Sequence, residues 1–154
     1  MVDINERMRR YIEEATRRKE ERQRYREEIK KLKFDTIAVH GMYSIGEAIE
    51  KGSGGILEPI ILSTAQACRD SDELEAYQAY LIPGWTYSRI QNPTVSYLED
   101  TLSLLETYGT GYDATAVCTS SGMSAIKQAV EPLVARMGKR DEYINFVSVA
   151  QIYG

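Results

Sequence analysis

Charged and apolar positions alternate in a helical rhythm from residue 3 to residue 33, with neither proline nor glycine to interrupt them. Glu6/Arg10, Glu13/Arg17, Glu14/Arg18, Glu20/Arg24 and Glu27/Lys31 are all pairs with the acid one turn ahead of the base, the arrangement that supports an exposed helix. Ile4, Met8, Tyr11 and Ala15, then Tyr25, Ile29 and Leu32, fall on a heptad-like seam, with Arg18 and Arg22 between the two groups. The pattern predicts one long helix docked at its two ends, on its own body or on a neighbouring subunit, with a solvated middle.

The rhythm then breaks. Phe34 to His40 reads as a short extended or irregular segment, and residues 41–55 as a glycine-punctuated loop around at most one helical turn. Residues 56–64 read as a short apolar strand interrupted by Pro59, suited to a sheet edge or an extended arm. Asp70 caps a helix running to Tyr80, and Pro83-Gly84 ends it. Asn92 as cap and Pro93 as first residue open a helix over 93–107, with Val95, Leu98, Leu102 and Leu105 on one face. Ala114 to Cys118 reads as a strand ending in a Ser/Gly turn, followed by a helix from Ala125 to Met137 and a strand from Tyr143 to Val149.

Composition narrows the class. With 154 residues, 43% of them hydrophobic and 27% charged, the chain has the make-up of a soluble globular protein. No apolar run approaches a membrane span and no secretory pattern opens the chain, so a cytoplasmic location is expected. Residues 1–33 hold 12 Lys/Arg against 8 Asp/Glu, leaving 7 against 15 for the rest. So acidic a body argues against nucleic-acid binding, and the interspersed acids of the first segment make it a solvated helix face rather than an RNA-binding arm. Cys68 and Cys118 are far apart, and His40 is the single histidine, which leaves no metal cluster; both thiols read as reduced and structural.

Two stretches carry candidate chemistry. In Thr119-Ser-Ser-Gly-Met-Ser124 a strand would turn directly into a helix, whose first N–H groups and positive dipole end suit a phosphate. Gly122 allows close approach, and the hydroxyls of Thr119, Ser120, Ser121 and Ser124 can add donors; a plain N-cap is the alternative. In Tyr87-Ser-Arg89, two residues one apart in an extended segment would point the same way. A phenol beside a guanidinium makes a phosphate clamp, the alternative being an arginine paired with a surface carboxylate and a tyrosine in the core.

The motif YSRIQNPT, a helix ending LLE, then a strand and TSSGMSAI, in that order, resemble the Cys/Met-metabolism family of pyridoxal-phosphate enzymes, which includes cystathionine gamma-synthase, cystathionine gamma-lyase, methionine gamma-lyase and O-acetylhomoserine sulfhydrylase. The likeness covers residues 34–154, from FDTIAVHG and EPI onward, and leaves the helix 1–33 outside it. It implies an α/β fold, the N-terminal part of a fold-type I transferase: the long helix (1–33), an arm and dimerisation segment (34–92), and the start of a mostly parallel sheet with flanking helices in an incomplete cofactor domain (93–154). It also implies pyridoxal 5'-phosphate as cofactor, held at Ser121, Gly122 and Met123, chiefly by the backbone amides of the last two. Tyr87 and Arg89 would reach the cofactor phosphate of a second subunit, giving active sites shared across a dimer. Tyr153, with Gly154 after it, would stack on the pyridine ring and assist proton transfer; on sequence alone Tyr153 could equally be a core residue.

Family members continue into a larger domain that supplies an aspartate for the pyridine nitrogen and the Schiff-base lysine, and neither has an equivalent here. Lys51, Lys127 and Lys139 match no such position, so the chain alone is expected to be inactive and to need a polypeptide carrying those residues. Thr107 to Asp113 is longer than the short glycine turn usual in the family. The expected reaction on a small amino-acid substrate is γ-replacement on an O-acyl-homoserine, with γ-elimination as the alternative. A non-catalytic interaction fragment is the alternative of another class.

Overall fold

A computed structural model describes residues 4–137 and 145–152. Six helices are present among them: α1 (Glu6–Ile29), α2 (Phe34–His40), α3 (Ile45–Lys51), α4 (Ser71–Gln78), α5 (Pro93–Glu106) and α6 (Gly122–Met137). They fall into two compact units, one up to Ala116 and one from Val117 onward.

In the first unit, Asn5 caps α1 by accepting the Met8 N–H at 2.9 Å, and Met8 is fully buried where α1 packs on α4. Most of that contact is polar. Tyr11 donates to Asp70 at 2.6 Å, Asn5 to Asp72 at 2.7 Å, and Arg69 reaches Glu14 at 2.9 Å while stacking on the Tyr11 ring. Glu73 is buried and would be costly there unpaired, but it accepts from the Arg69 guanidinium, the Arg69 backbone and the Tyr77 hydroxyl.

The solvated middle expected for α1 holds over residues 16–21, which are all exposed, and ends at Arg22. This seam arginine lies over the Tyr97 ring and pairs with Asp100 of α5 and, at 3.6 Å, with Glu47 of α3. A charged residue on a seam is not a gap when the facing helix presents a carboxylate.

Phe34 to His40 is helical rather than extended, because only a helix delivers Ile37 into the cluster of Ile29, Met42 and Leu104. That burial outweighs the weak helix propensity of the segment's β-branched residues. Gly41 ends the helix at φ +51 and is itself buried. The supposed loop 41–55 contains α3, opened by a full capping box: Ser44 accepts the Glu47 N–H at 3.1 Å and Glu47 accepts the Ser44 N–H at 3.4 Å.

The strand over 56–64 does not form. Its place is taken by an irregular arm that pairs with the later segment through one antiparallel bridge, Ala65 with Tyr87. Ala114–Cys118 and residues 145–149 likewise join no ladder, so the start of a parallel sheet is not seen among the described residues. Parallel strands need neighbours on both sides to form.

Helix α5 begins as expected, with Asn92 accepting the Thr94 N–H at 2.9 Å and Pro93 in the first position. The residues it buries lie off that apolar stripe, of which only Leu105 packs on the core. Tyr97, Ser103 and Leu104 turn inward, toward Tyr43 and the Ile37 cluster, while Val95, Leu98 and Leu102 stay exposed. In the second unit α6 starts three residues before the expected Ala125 and carries Pro132 within it. No helix among the described residues is long and apolar enough to cross a membrane.

The α1 contacts make an acid response predictable. Asp70 is held below the usual carboxylate range by the Tyr11 hydroxyl and the Glu73 backbone N–H, and Asp113 by the Lys30 ammonium. Burial pushes Glu73 up, but the hydrogen bonds and charge of Arg69 bring it below its ordinary value. All three are lowered in the folded chain, so their stabilisation is complete above the unfolded pKa and is lost as pH falls through the folded one. Far-UV circular dichroism with tyrosine fluorescence should record α1 leaving its contacts below about pH 4, with no corresponding change between pH 6 and pH 8.

Candidate functional site

The polar residues of Tyr87-Ser-Arg-Ile-Gln-Asn-Pro-Thr94 tie this segment to the arm. The Ser88 N–H and Oγ donate to the carbonyls of Thr64 and Ser63 at 2.8 and 2.7 Å, and Asn92 Nδ2 donates to the Ile61 carbonyl at 3.0 Å. Thr94 Oγ1 accepts the Ile61 N–H at 2.8 Å and donates to the Pro59 carbonyl at 3.3 Å. Three of the eight residues, Ser88, Asn92 and Thr94, therefore bind the backbone of the arm, and Tyr87 and Arg89 are left to the surface.

Those two do share a direction, though not by strand alternation. The Ile90 and Gln91 N–H groups both donate to the Tyr87 carbonyl, so Ser88 to Ile90 form a turn that brings the Arg89 guanidinium 5.0 Å from the centre of the Tyr87 ring. The alternative for this pair fails on both counts. Tyr87 is 41% exposed and so not in the core, and Arg89 has no carboxylate partner among the described residues. Stacking orders the guanidinium while leaving its paired N–H groups open to an oxyanion.

At the start of α6, Ser121 caps the helix: its Oγ accepts the Ser124 N–H at 3.2 Å and its carbonyl accepts the Ala125 N–H at 3.1 Å. The Gly122 and Met123 N–H groups donate to nothing among the described residues, and open space surrounds the Gly122 Cα. Thr119 Oγ1 already donates to the Ser121 carbonyl at 2.8 Å, which removes it from the expected donors. Two free amides at the positive end of a 16-residue helix, with exposed serine hydroxyls beside them, fit a phosphate ester. Tyr153 lies outside the described residues.

The other candidates recede. Lys51 pairs with Glu47 at 3.4 Å and Lys127, well solvated, with Glu131 at 3.8 Å, so neither is the desolvated amine that imine chemistry needs. His40 is exposed at the end of α2. Burial pushes the Cys68 thiol upward, which makes it a poor nucleophile. No cluster of His, Cys, Asp or Glu suited to a metal ion occurs among the described residues.

The family pattern described as Cys/Met metabolism PLP-dependent enzyme matches residues 35–154. The chain belongs to that family. Its relatives include a homocysteine synthase of Schizosaccharomyces pombe, 31% identical over 121 residues that make up 79% of this chain and 25% of that enzyme. A homocysteine/cysteine synthase of Saccharomyces cerevisiae is 31% identical over 122 residues, 79% of this chain and 24% of the enzyme. The Kluyveromyces lactis homocysteine/cysteine synthase is 34% identical over 122 residues, with the same coverage of 79% and 24%. The chain thus spans about a quarter of the length of these relatives. No solved structure gives a significant match. Family membership implies pyridoxal phosphate as cofactor, and the α6 start and the Tyr87-Arg89 pair are chemically suited to its phosphate.

Sequence reasoning missed Arg26, the most enclosed cation of α1. Its guanidinium donates to Ser103 Oγ at 2.9 Å and to the Ala114 carbonyl at 3.4 Å, and lies 3.9 Å from Asp100. The available signal was spacing: Arg22 and Arg26 lie one turn apart on α1, and Asp100 and Ser103 one turn apart on α5.

Proposed function

We propose that the chain is the N-terminal portion of a pyridoxal 5'-phosphate enzyme of sulfur amino-acid metabolism that carries out γ-replacement on an O-acyl-homoserine. The names of its relatives, synthases of homocysteine and cysteine, favour replacement over a γ-lyase reaction. The cofactor supplies the electron sink for carbanion chemistry; this chain's part is to grip the phosphate and build the shared site. The Gly122 and Met123 amides hold the phosphate, Ser121 adds a hydroxyl, and Tyr87 and Arg89 extend to the phosphate bound by a second subunit. Tyr153 is the residue that the family resemblance assigns to the pyridine ring and to proton transfer. The covalent lysine and the aspartate for the ring nitrogen come from the remainder of the α/β domain, so the chain alone turns nothing over.

The observation that carries this reading is the pair of unclaimed amides at the start of α6. It is tested by titrating the isotopically labelled chain with pyridoxal 5'-phosphate, inorganic phosphate and pyridoxal. The first two should move the Gly122 and Met123 amide resonances downfield, whereas pyridoxal, which lacks the phosphate, should not. Equal shifts with all three, or none with any, would sink the proposal.

A further inference from the structure

Ser88 lies between Tyr87 and Arg89 and holds the arm twice. Its N–H donates to the Thr64 carbonyl at 2.8 Å, and its hydroxyl donates to the carbonyl one residue earlier, that of Ser63, at 2.7 Å. On the other side of Tyr87 the Thr86 carbonyl accepts the Gln66 N–H at 2.9 Å, which completes the antiparallel bridge between Tyr87 and Ala65. The start of the turn that carries Arg89 is thus bound to the backbone of the arm.

The far end of that turn is bound to the same strip. Ile61 is held on both of its backbone groups, its N–H by Thr94 Oγ1 and its carbonyl by Asn92 Nδ2, and these two residues stand at the opening of α5. Ser88 Oγ joins the two fixings, because besides donating to Ser63 it accepts from Asn92 Nδ2 at 3.4 Å. Apolar burial adds little to this contact: on the arm Ile60 is 77% and Leu62 88% exposed, and Ile90 in the turn is 60% exposed. A segment ordered mainly by hydrogen bonds near the surface opens locally when one of them is removed. An arginine carried on an opened turn must surrender backbone as well as side-chain freedom on meeting an anion, and that ordering subtracts from affinity.

We propose that the arm over residues 59–65 is the backing on which Tyr87 and Arg89 are presented, with Ser88 as the positioning residue. The proposal rests on the reading of Tyr87 and Arg89 as a phosphate clamp. Ser88 acts through the turn and not on the ligand: its hydroxyl ties the arm to Asn92 and so sets the direction in which the Arg89 guanidinium leaves the surface.

Two variants of the whole chain test it. Ser88→Ala removes the hydroxyl and keeps the backbone bond to Thr64, whereas Ser88→Thr keeps both. Hydrogen exchange of the Ile90 and Gln91 amides, which donate to the Tyr87 carbonyl, reports on the turn. The order parameter of the Arg89 Nε–H reports on the guanidinium, and inorganic phosphate is titrated against the same resonance. Ser88→Ala should speed exchange at both amides, lower the order parameter and weaken phosphate binding about fivefold, the weight of one neutral hydrogen bond, at unchanged helical circular dichroism. Ser88→Thr should restore all three. Unchanged phosphate affinity or an unchanged order parameter in Ser88→Ala would overturn the positioning role, even with faster exchange in the turn. If Arg89 of the unaltered chain does not respond to phosphate, the clamp itself is refuted. The order parameter then decides the positioning role alone: a lower value in Ser88→Ala supports it, and an unchanged value overturns it.

Discussion

Gly41→Ala should lower the stability of the first unit by about 3 kcal/mol or more, the largest effect expected of any single methyl group in the chain. Two causes combine. Gly41 sits at φ +51 and ψ −140, a conformation that residues with a Cβ rarely adopt. A Cβ built there also runs into Thr101 Oγ1 of α5 and comes within 3.1 Å of Glu58 Oε1. The position joins α2 to the buried Met42 and Tyr43, so the backbone cannot shift without moving both hydrophobic clusters. Urea unfolding followed by circular dichroism measures the loss. Adding Thr101→Ala to Gly41→Ala should restore the steric part only. Full recovery in the double variant would show that backbone strain contributes nothing.

The largest functional effect should come from Arg89→Ala, which is expected to weaken pyridoxal 5'-phosphate retention about 100-fold in the assembled enzyme while leaving the melting temperature of its cofactor-free form unchanged. The separation of the two readouts follows from the structure. Arg89 has no carboxylate partner among the described residues, and its ordered contact is the exposed face of Tyr87. Removing it takes nothing from the core. Arg89→Lys should recover little, because an ammonium cannot give the two parallel donors of a guanidinium. Tyr87→Phe, which keeps the ring and loses the hydroxyl, should cost roughly tenfold or less. Equilibrium dialysis of these preparations and thermal melts of their cofactor-free forms check these values; a lower melting temperature of the cofactor-free Arg89→Ala variant would assign Arg89 a structural role.

Where an element was set by local chemistry, the sequence foretold it. Asn92-Pro93 and Asp70 name their helix starts without help from the rest of the fold, and both caps form as read. Where the deciding contact was remote, the reading failed. Phe34 to His40 is helical because Ile37 has Leu104 to meet, and no window of seven residues contains that fact. The capping box at Ser44 and Glu47 was legible and was obscured by the surrounding glycines. On α5 the apolar stripe read from the sequence is not the face buried within the first unit, where the helix turns Tyr97 and Leu104 inward and leaves Val95, Leu98 and Leu102 exposed, with Leu105 partly buried against the core. The site was legible in its residues more than in its geometry. Tyr87 and Arg89 do lie side by side, by way of a turn, and Ser121 to Met123 do open a helix, one that starts earlier than expected.

The grip of α1 on the first unit is mostly ionic at one end and sheltered at the other. At the α4 end the cations are exposed and their acids half-buried, Arg7 with Asp72 and Arg69 with Glu14, whereas Arg26 is enclosed against α5. Mobile ions reach the former and not the latter, since the screening length shrinks from about 10 Å at 0.1 M salt to about 3 Å at 1 M. Raising ionic strength should therefore peel the helix from its first residues inward, and buffers chosen for purification will decide how much of it remains in place.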